Sequence, residues 1–278
     1  MNQFLPERFD EIIHRLALGI EPIDAQRGRR LSYELQVGYD ATLAGLRRPP
    51  IERHNSNLFA LRYQPGVPDS TGRVDLRFFD QGDSTYRAEK DRRRIVPRRL
   101  RIPILTESDV EAQEQISRLD FRRRTRRPQF FPGAAYDFTG SSTCMRGRVV
   151  RAGAAMRWAR VVARLAGSPV VVGRAHGDDR GEFLLLINAA VTSGSAWPDP
   201  LEITVSVFGP DPFPPVVAAD VKARDPLWDL PLEALSAPGA AVDNVATGDQ
   251  LPGEYTKSVT DTFTFKLGKC LYQEFEIT

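Results

Sequence analysis

Apolar residues recur at helical spacing only near the N-terminus. Phe9, Ile12, Ile13, Leu16 and Ile20 lie on one face, Pro6 suits a first turn, Glu7, Asp10 and Glu11 complement the positive helix end, and Gly19 and Pro22 are stop signals. The spacing predicts a helix over residues 6–20, within an N-terminal unit of residues 1–24. From Leu31 the period falls to two. Residues 31–37, 58–63 and 74–79 alternate apolar with polar, which predicts half-buried strands, and Pro49-Pro50, Pro65-Gly66, Pro68-Asp69 and Gly82-Asp83 mark the turns between them. Residues 100–104 continue the pattern, with Pro97 and Pro103 predicting an edge or bulged strand because proline cannot donate to a ladder. Residues 25–105 therefore read as a first β-sandwich.

The second half repeats this grammar. After a short helix predicted over residues 107–120, within a basic linker of residues 106–140, three runs at 146–150, 158–165 and 170–174 alternate between Gly or Pro boundaries. A turn, Asp178-Asp179-Arg180-Gly181, then leads into the unbroken apolar run Phe183-Leu184-Leu185-Leu186-Ile187. With the alternating stretch 201–208, residues 141–208 read as a second β-sandwich. Residues 209–256 carry Pro210, Pro212, Pro214, Pro215, Pro226, Pro231, Pro238 and Pro252, which exclude long helices and central strands. Phe213, Leu227, Trp228, Leu230, Leu232 and Leu235 remain as isolated apolar anchors, so this stretch is expected to be an extended arm pinned along a surface, its own or a neighbour's, with docking on another subunit the expectation put to test. Residues 257–278 close the chain with two strands joined near Gly268, suited to adding to a sheet edge in this molecule or the next.

The segments Gly147-Arg148-Val149, Ala159-Arg160-Val161 and Asp179-Arg180-Gly181-Glu182-Phe183 resemble the carboxypeptidase regulatory-like domain, a transthyretin-type β-sandwich in which a D-x-x-G-x-F turn launches a core strand. The resemblance covers about a quarter of the chain, residues 141–210. It implies a non-catalytic module that serves folding, adhesion or assembly. Where that family's turn carries Thr-Asp, this chain has His176-Gly177-Asp178-Asp179, so the resemblance assigns no role to the histidine or the extra acid. The wider layout is similar to proteins that accompany phage-tail-like contractile injection systems. It joins a basic stretch from Arg92 to Arg99, the connector Phe131-Pro132-Gly133-Ala134-Ala135-Tyr136, and then Arg157-Trp158-Ala159-Arg160-Val161.

Charge adds a polarity that the net value of +2 conceals. Up to Gly181 there are 33 basic and 22 acidic residues; beyond it there are 5 and 14. Complementary halves suit head-to-tail contact between copies or neighbours, and equally an intramolecular pairing. The densest run, Arg122, Arg123, Arg124, Arg126 and Arg127, has the charge to contact phosphates, but no nucleic-acid fold signature accompanies it. The run reads as a linker whose charges meet acidic protein surface. No apolar run approaches the roughly 18 residues of a spanning helix, and the first residues lack the build of a signal peptide. A protein kept in the cytoplasm until it enters a particle is expected.

Candidate chemistry is sparse. Cys144 and Cys270 lack C-x-x-C spacing and read as two buried free thiols on strands. The three histidines, His14, His54 and His176, lie in different segments, and in the one local metal-like cluster, His176 with Asp178 and Asp179, Asp and Gly are what a tight turn demands. Nucleophile-elbow, zincin, P-loop and dinucleotide motifs are all missing, and no cofactor is implied. The expectation is a mainly β, non-enzymatic structural or adaptor component of a large assembly. Its partners would be other protein subunits, including copies of itself. The alternative is a carbohydrate- or surface-binding module that uses Trp158, Trp197 or Trp228.

Overall fold

Alternation becomes strand along most of the chain. The computed structural model describes residues 15–40, 51–63, 72–81, 86–116, 121–188, 200–214, 219–220 and 225–278, and it is mainly β. The first half supplies β1 (Leu16–Ile20), β2 (Ile23–Asp24), β3 (Gln36–Tyr39), β4 (Glu52–His54), β5 (Leu58–Arg62), β6 (Arg73–Phe79), β7 (Arg98–Pro103), β8 (Thr125–Arg126) and β9 (Gln129–Phe130). The second supplies β10 (Cys144–Arg151), β11 (Ala154–Ala155), β12 (Arg160–Leu165), β13 (Val171–His176), β14 (Glu182–Leu186), β15 (Leu201–Gly209), β16 (Leu232–Ala234), β17 (Lys257–Phe265) and β18 (Cys270–Glu276). Helices are short: α1 (Glu107–Ile116), α2 (Phe121–Arg124) and α3 (Asn244–Thr247). Among the described residues none is long and apolar enough to cross a membrane.

The first half forms the sheets β4-β5-β1-β8 and β16-β7-β6-β3, with β2 paired to β9. In the second half β10 lies between β14 and β18 and also carries β11, while β13-β12-β15-β17 makes the other sheet. The sheet built on β10 is buried on both faces. Cys144, Leu184 and Leu186 join the core of the first half, whereas Met145, Val149, Phe183, Leu185 and Phe275 meet Val161, Ala163, Val205 and Val207 of the facing sheet. That explains why Phe183 to Ile187 does not alternate: strands covered on both sides read as continuous apolar runs.

The turn before β14 is fixed by its own residues. Asp178 Oδ1 accepts the backbone N–H groups of Arg180 (2.8 Å) and Glu182 (2.9 Å). Gly181 adopts φ +73°, and a Cβ there would lie 2.5 Å from the Val149 carbonyl oxygen, so only glycine fits the position. Gly147, paired with Phe183 across β10 and β14, leaves the space in which the Phe183 ring lies; a Cβ would be 2.2 Å from that ring.

Several sequence expectations are corrected. Of the helix expected over residues 6–20, residues 6–14 lie outside the described residues and Leu16–Ile20 is strand β1. It pairs antiparallel with β5 and parallel with β8, and tertiary pairing overrides a helical spacing that extends only a few residues into it. Of residues 31–37 only the end is strand; Leu31 and Leu35 serve as buried anchors. Strand β7 is not an edge but lies between β6 and β16, because Pro97 precedes it and Pro103 is its last residue. Cys144 and Cys270 are not free thiols. They face each other in register on β10 and β18, Cα atoms 4.4 Å apart, and form a disulfide.

Candidate functional site

The arginine run is built into the fold rather than strung between domains. Arg122, Arg123 and Arg124 belong to α2, and Arg126 to β8, whose pairing with β1 matches Gly19 to Thr125 and Ile20 to Arg126. Chain geometry then sorts the charges. Arg124 and Arg126 turn inward, 7% and 8% exposed, while Arg123 and Arg127 face outward and the side chain of Arg122 lies outside the described residues. Arg124 Nη1 donates to the Leu16 carbonyl (3.4 Å), and Arg127 Nε pairs with Glu21 (3.0 Å). Of the linker whose charges were expected to meet acidic protein surface, Arg127 does meet an acid, Glu21, whereas Arg124 and Arg126 are buried with donors on backbone carbonyls.

Three of the arm anchors are also occupied within the chain. Leu227 and Leu230 are fully buried against Phe79, Val96 and Trp158, and Leu235 enters the first core. These residues are therefore not available to another subunit, which corrects the docking in trans expected of them. Trp228 is half-buried, with the Arg157 guanidinium 6.0 Å from its ring. Phe213 is 41% exposed beside the Arg151 guanidinium. The prolines cap short extended pieces instead of preventing order, and β16 adds to β7 in parallel register.

A buried ionic junction, unrecognised in the sequence, ties this stretch down. Arg98 is a forked donor to Glu233, with Nε to Oε1 at 3.2 Å and Nη2 to Oε2 at 2.9 Å, and its remaining donors reach the carbonyls of Gln129, Val245 and Ala246. Arg160 Nη2 reaches the same carboxylate at 3.1 Å, and its Nη1 donates to the Trp158 carbonyl at 2.7 Å. His176 lies against this group, stacked on Phe131 with ring centroids 3.8 Å apart. Desolvation, then Arg160 and Arg98, hold its pKa well below the ordinary histidine value. It is a neutral packing group. The available signal was parity: Arg98 shares the inward face of β7 with Leu100 and Ile102, where a charge requires a partner.

No group of three or more His, Cys, Asp or Glu able to hold a metal occurs among the described residues. His54 is exposed and bonded to Ser56, and His14 lies outside the described residues. Trp158 is buried with its Nε1 donating to Asp229 (2.8 Å), which withdraws it as a sugar platform; Trp197 lies outside the described residues.

The terminal strands lie at the edges of their sheets. Strand β17 pairs with β15 along all nine residues, from Lys257 opposite Gly209 to Phe265 opposite Leu201. Among the described residues its other side has no strand partner. The outer face carries a threonine row, Thr260 bonded to Ser206 and Thr262 to Thr204, while Val259, Phe263 and Phe265 face the core. Among the described residues strand β18 similarly pairs only with β10, in parallel register from Cys144 opposite Cys270 to Val150 opposite Glu276, and Tyr272 stands 78% exposed. Neither strand contains proline. Each presents a row of backbone N–H and C=O groups to a further strand.

No protein-family model matches the chain, and no curated protein matches it. Among solved structures it is similar to a 9R-lipoxygenase from Cyanothece PCC8801, at 11% identity and a TM-score of 0.27, over 60% of this chain and 19% of that one. It is also similar to a Streptococcal ancillary pilin, at 11% identity and a TM-score of 0.22, over 97% of this chain and 64% of that one. The chain spans less than two thirds of either structure, and likenesses this slight carry no argument about fold or function.

Proposed function

We propose that this protein is a non-enzymatic structural or adaptor component of a large protein assembly, and that its contacts form by strand addition at β17 and β18. The observation that carries the reading is the pair of unpartnered edges at the end of the chain, one of them nine residues long. Monomeric proteins blunt such edges with proline, bulges or charge. Here Lys257 and Asp261 are the charges of β17 and its register with β15 is regular. Backbone pairing supplies affinity at such an edge, and alternate side chains supply specificity.

In the finer reading the two sheets of the second half form a transthyretin-type sandwich like the carboxypeptidase regulatory-like domain, and the first half forms a second sandwich with β16 and its flanking prolines wrapped onto it. Their shared cores support this, as does the Asp178 to Phe183 turn that launches β14. The assembly is taken to be a phage-tail-like contractile injection particle on the resemblance of the whole layout. The Cys144–Cys270 disulfide fits a component that persists outside the reducing cytoplasm.

The test is Thr260→Lys with Thr262→Lys, two exposed changes that add charge to the edge without touching either core. The variant is expected to fold and to drop out of particles sedimented with tube and sheath proteins. Incorporation equal to that of the parent would overturn the strand-addition reading, and retention of the monomer on a glycan array would favour a surface-binding module.

A further inference from the structure

A cavity of about 850 Å³ opens beside β8, with Arg126 and Arg127 on one side and Leu235, Ala240 and Ala246 on others. Arg126 is more than nine-tenths buried. Its Nη1 and Nη2 donate to the carbonyl oxygens of Ala237 (3.4 Å) and Pro103 (3.1 Å), and its Nε has no hydrogen-bond partner. A guanidinium has five N–H donors, so this one is under-used. Among the described residues it also lacks a carboxylate at ion-pair distance. Arg98 and Arg160, buried to the same degree, share Glu233.

The acid nearest to it does not supply the missing charge. Asp243 lines the same cavity, but its Oδ1 accepts the Ala246 amide and its Oδ2 the Ser236 amide, each at 3.0 Å, in capping α3. Desolvation lowers the pKa of Arg126, with Asp243 only partly offsetting it. A buried cation without a counter-charge is costly, and a cavity that admits an anion beside it relieves the cost. Arg127 stands at the mouth, largely exposed while its Nε contacts Glu21. The rest of the wall is made of Leu235, Gly239, Ala240, Ala241 and Ala246 with Thr125 and Thr247, and the volume lies within the range of small-molecule sites.

We propose that this cavity binds a small organic oxyanion, a carboxylate or phosphate with a short apolar body, with Arg126 receiving the oxyanion and Leu235, Ala240 and Ala246 enclosing the body. This site is independent of the edge strands and of the assembly role. Its ligand is recognised by charge first and by apolar length second. Affinity is therefore expected to rise about fourfold for each methylene buried.

Titration calorimetry on the full chain tests it with acetate, butanoate, hexanoate, inorganic phosphate and hexylammonium as probes. Hexanoate is expected to bind more tightly than butanoate, and butanoate more tightly than acetate. Inorganic phosphate should bind and compete with hexanoate, and hexylammonium should not bind. Ala240→Phe fills the cavity from an exposed position without touching Arg126, and is expected to weaken hexanoate at least tenfold while leaving the thermal midpoint of the unliganded protein in place. Arg126→Lys keeps the charge but loses the planar fork, and is expected to weaken phosphate and hexanoate together. The proposal is overturned by no heat from hexanoate or phosphate up to about 10 mM, by equal hexanoate binding in Ala240→Phe, or by hexylammonium binding as well as hexanoate.

Discussion

Replacing Glu233 by Gln isolates the ionic junction that holds the two halves together. Glu233 is 4% exposed and takes three hydrogen bonds from Arg98 and Arg160, themselves 0% and 4% exposed. Burial pushes its carboxyl upward, but Arg98 and then Arg160 outweigh that and hold it below the ordinary glutamate range. Glutamine keeps the shape and one acceptor but removes the charge, leaving two buried guanidiniums to repel each other. Breaking a buried pair on one side costs about 3 to 5 kcal/mol, a large share of the roughly 5 to 15 kcal/mol that holds a typical domain. Arg160→Met is expected to cost less, because the Arg98 fork remains intact. A double-mutant cycle of the two changes should give a coupling of about 0.5 to 3 kcal/mol. Urea unfolding followed by tryptophan fluorescence and far-ultraviolet circular dichroism reads both. The pH dependence gives a second check: with its folded pKa depressed, Glu233 stabilises above its unfolded pKa and loses that contribution as pH falls through the folded value. The gap between parent and Glu233→Gln should therefore close on acidification. A Glu233→Gln midpoint within about 0.5 kcal/mol of the parent at unchanged slope would refute the reasoning.

Cys270→Ser, or reduction of the parent, is expected to cost about 3 to 5 kcal/mol, since Cys144 and Cys270 close a loop of 126 residues; two titratable thiols in the folded, unreduced protein would contradict this. Gly147→Ala is expected to cost about 1 to 3 kcal/mol by driving the Phe183 ring off the sheet, with Phe183→Leu in the same chain recovering part of the loss in a thermal melt. Burial, only partly offset by the Arg93 amide and the Tyr86 hydroxyl, raises Asp91 to about 6. The folded state therefore binds its proton more tightly, and stability falls as pH rises from about 4 to about 6, then levels off. Asp91→Asn should flatten that slope by about 1 to 2 kcal/mol, while Asp178 and Asp229, also raised by burial, keep a residual slope of the same sign.

Strand content was legible because alternation is a local property. β5, β6, β7, β10, β12, β14 and β15 all fall on stretches whose period or apolar run announces them. What was not legible depended on partners distant in sequence. Leu16 to Ile20 carries the tail of a helical spacing, yet the edges of β5 and β8 offered it a ladder. The disulfide arises from register between strands 126 residues apart, which no spacing rule encodes. The prolines exclude long helices and central strands, which leaves room for the three-residue β16 at the edge of its sheet. The candidate site was only partly visible. The terminal strands could be read as edge formers, whereas the inward turn of Arg124 and Arg126 became apparent only when α2 and β8 were seen to pack on β1.

The stretch from Asp225 onward also sets an order of events. It contributes β16 to the first half through Glu233, 135 residues from Arg98, and β17 and β18 to the two sheets of the second half. Contacts at such separation form late, because loop closure must precede the burial that rewards it. The edges proposed to receive partner strands are the outer sides of those same late elements. Until they dock, β15 and β10 are themselves the open edges, and Val205, Val207, Met145 and Val149 are the apolar residues they leave uncovered. Docking β17 and β18 replaces that apolar exposure with a threonine row and with Glu274 and Glu276. Under the strand-addition proposal, the edge of β17 exists only once β17 has paired with β15, so the same step covers the interior strand and creates the binding edge.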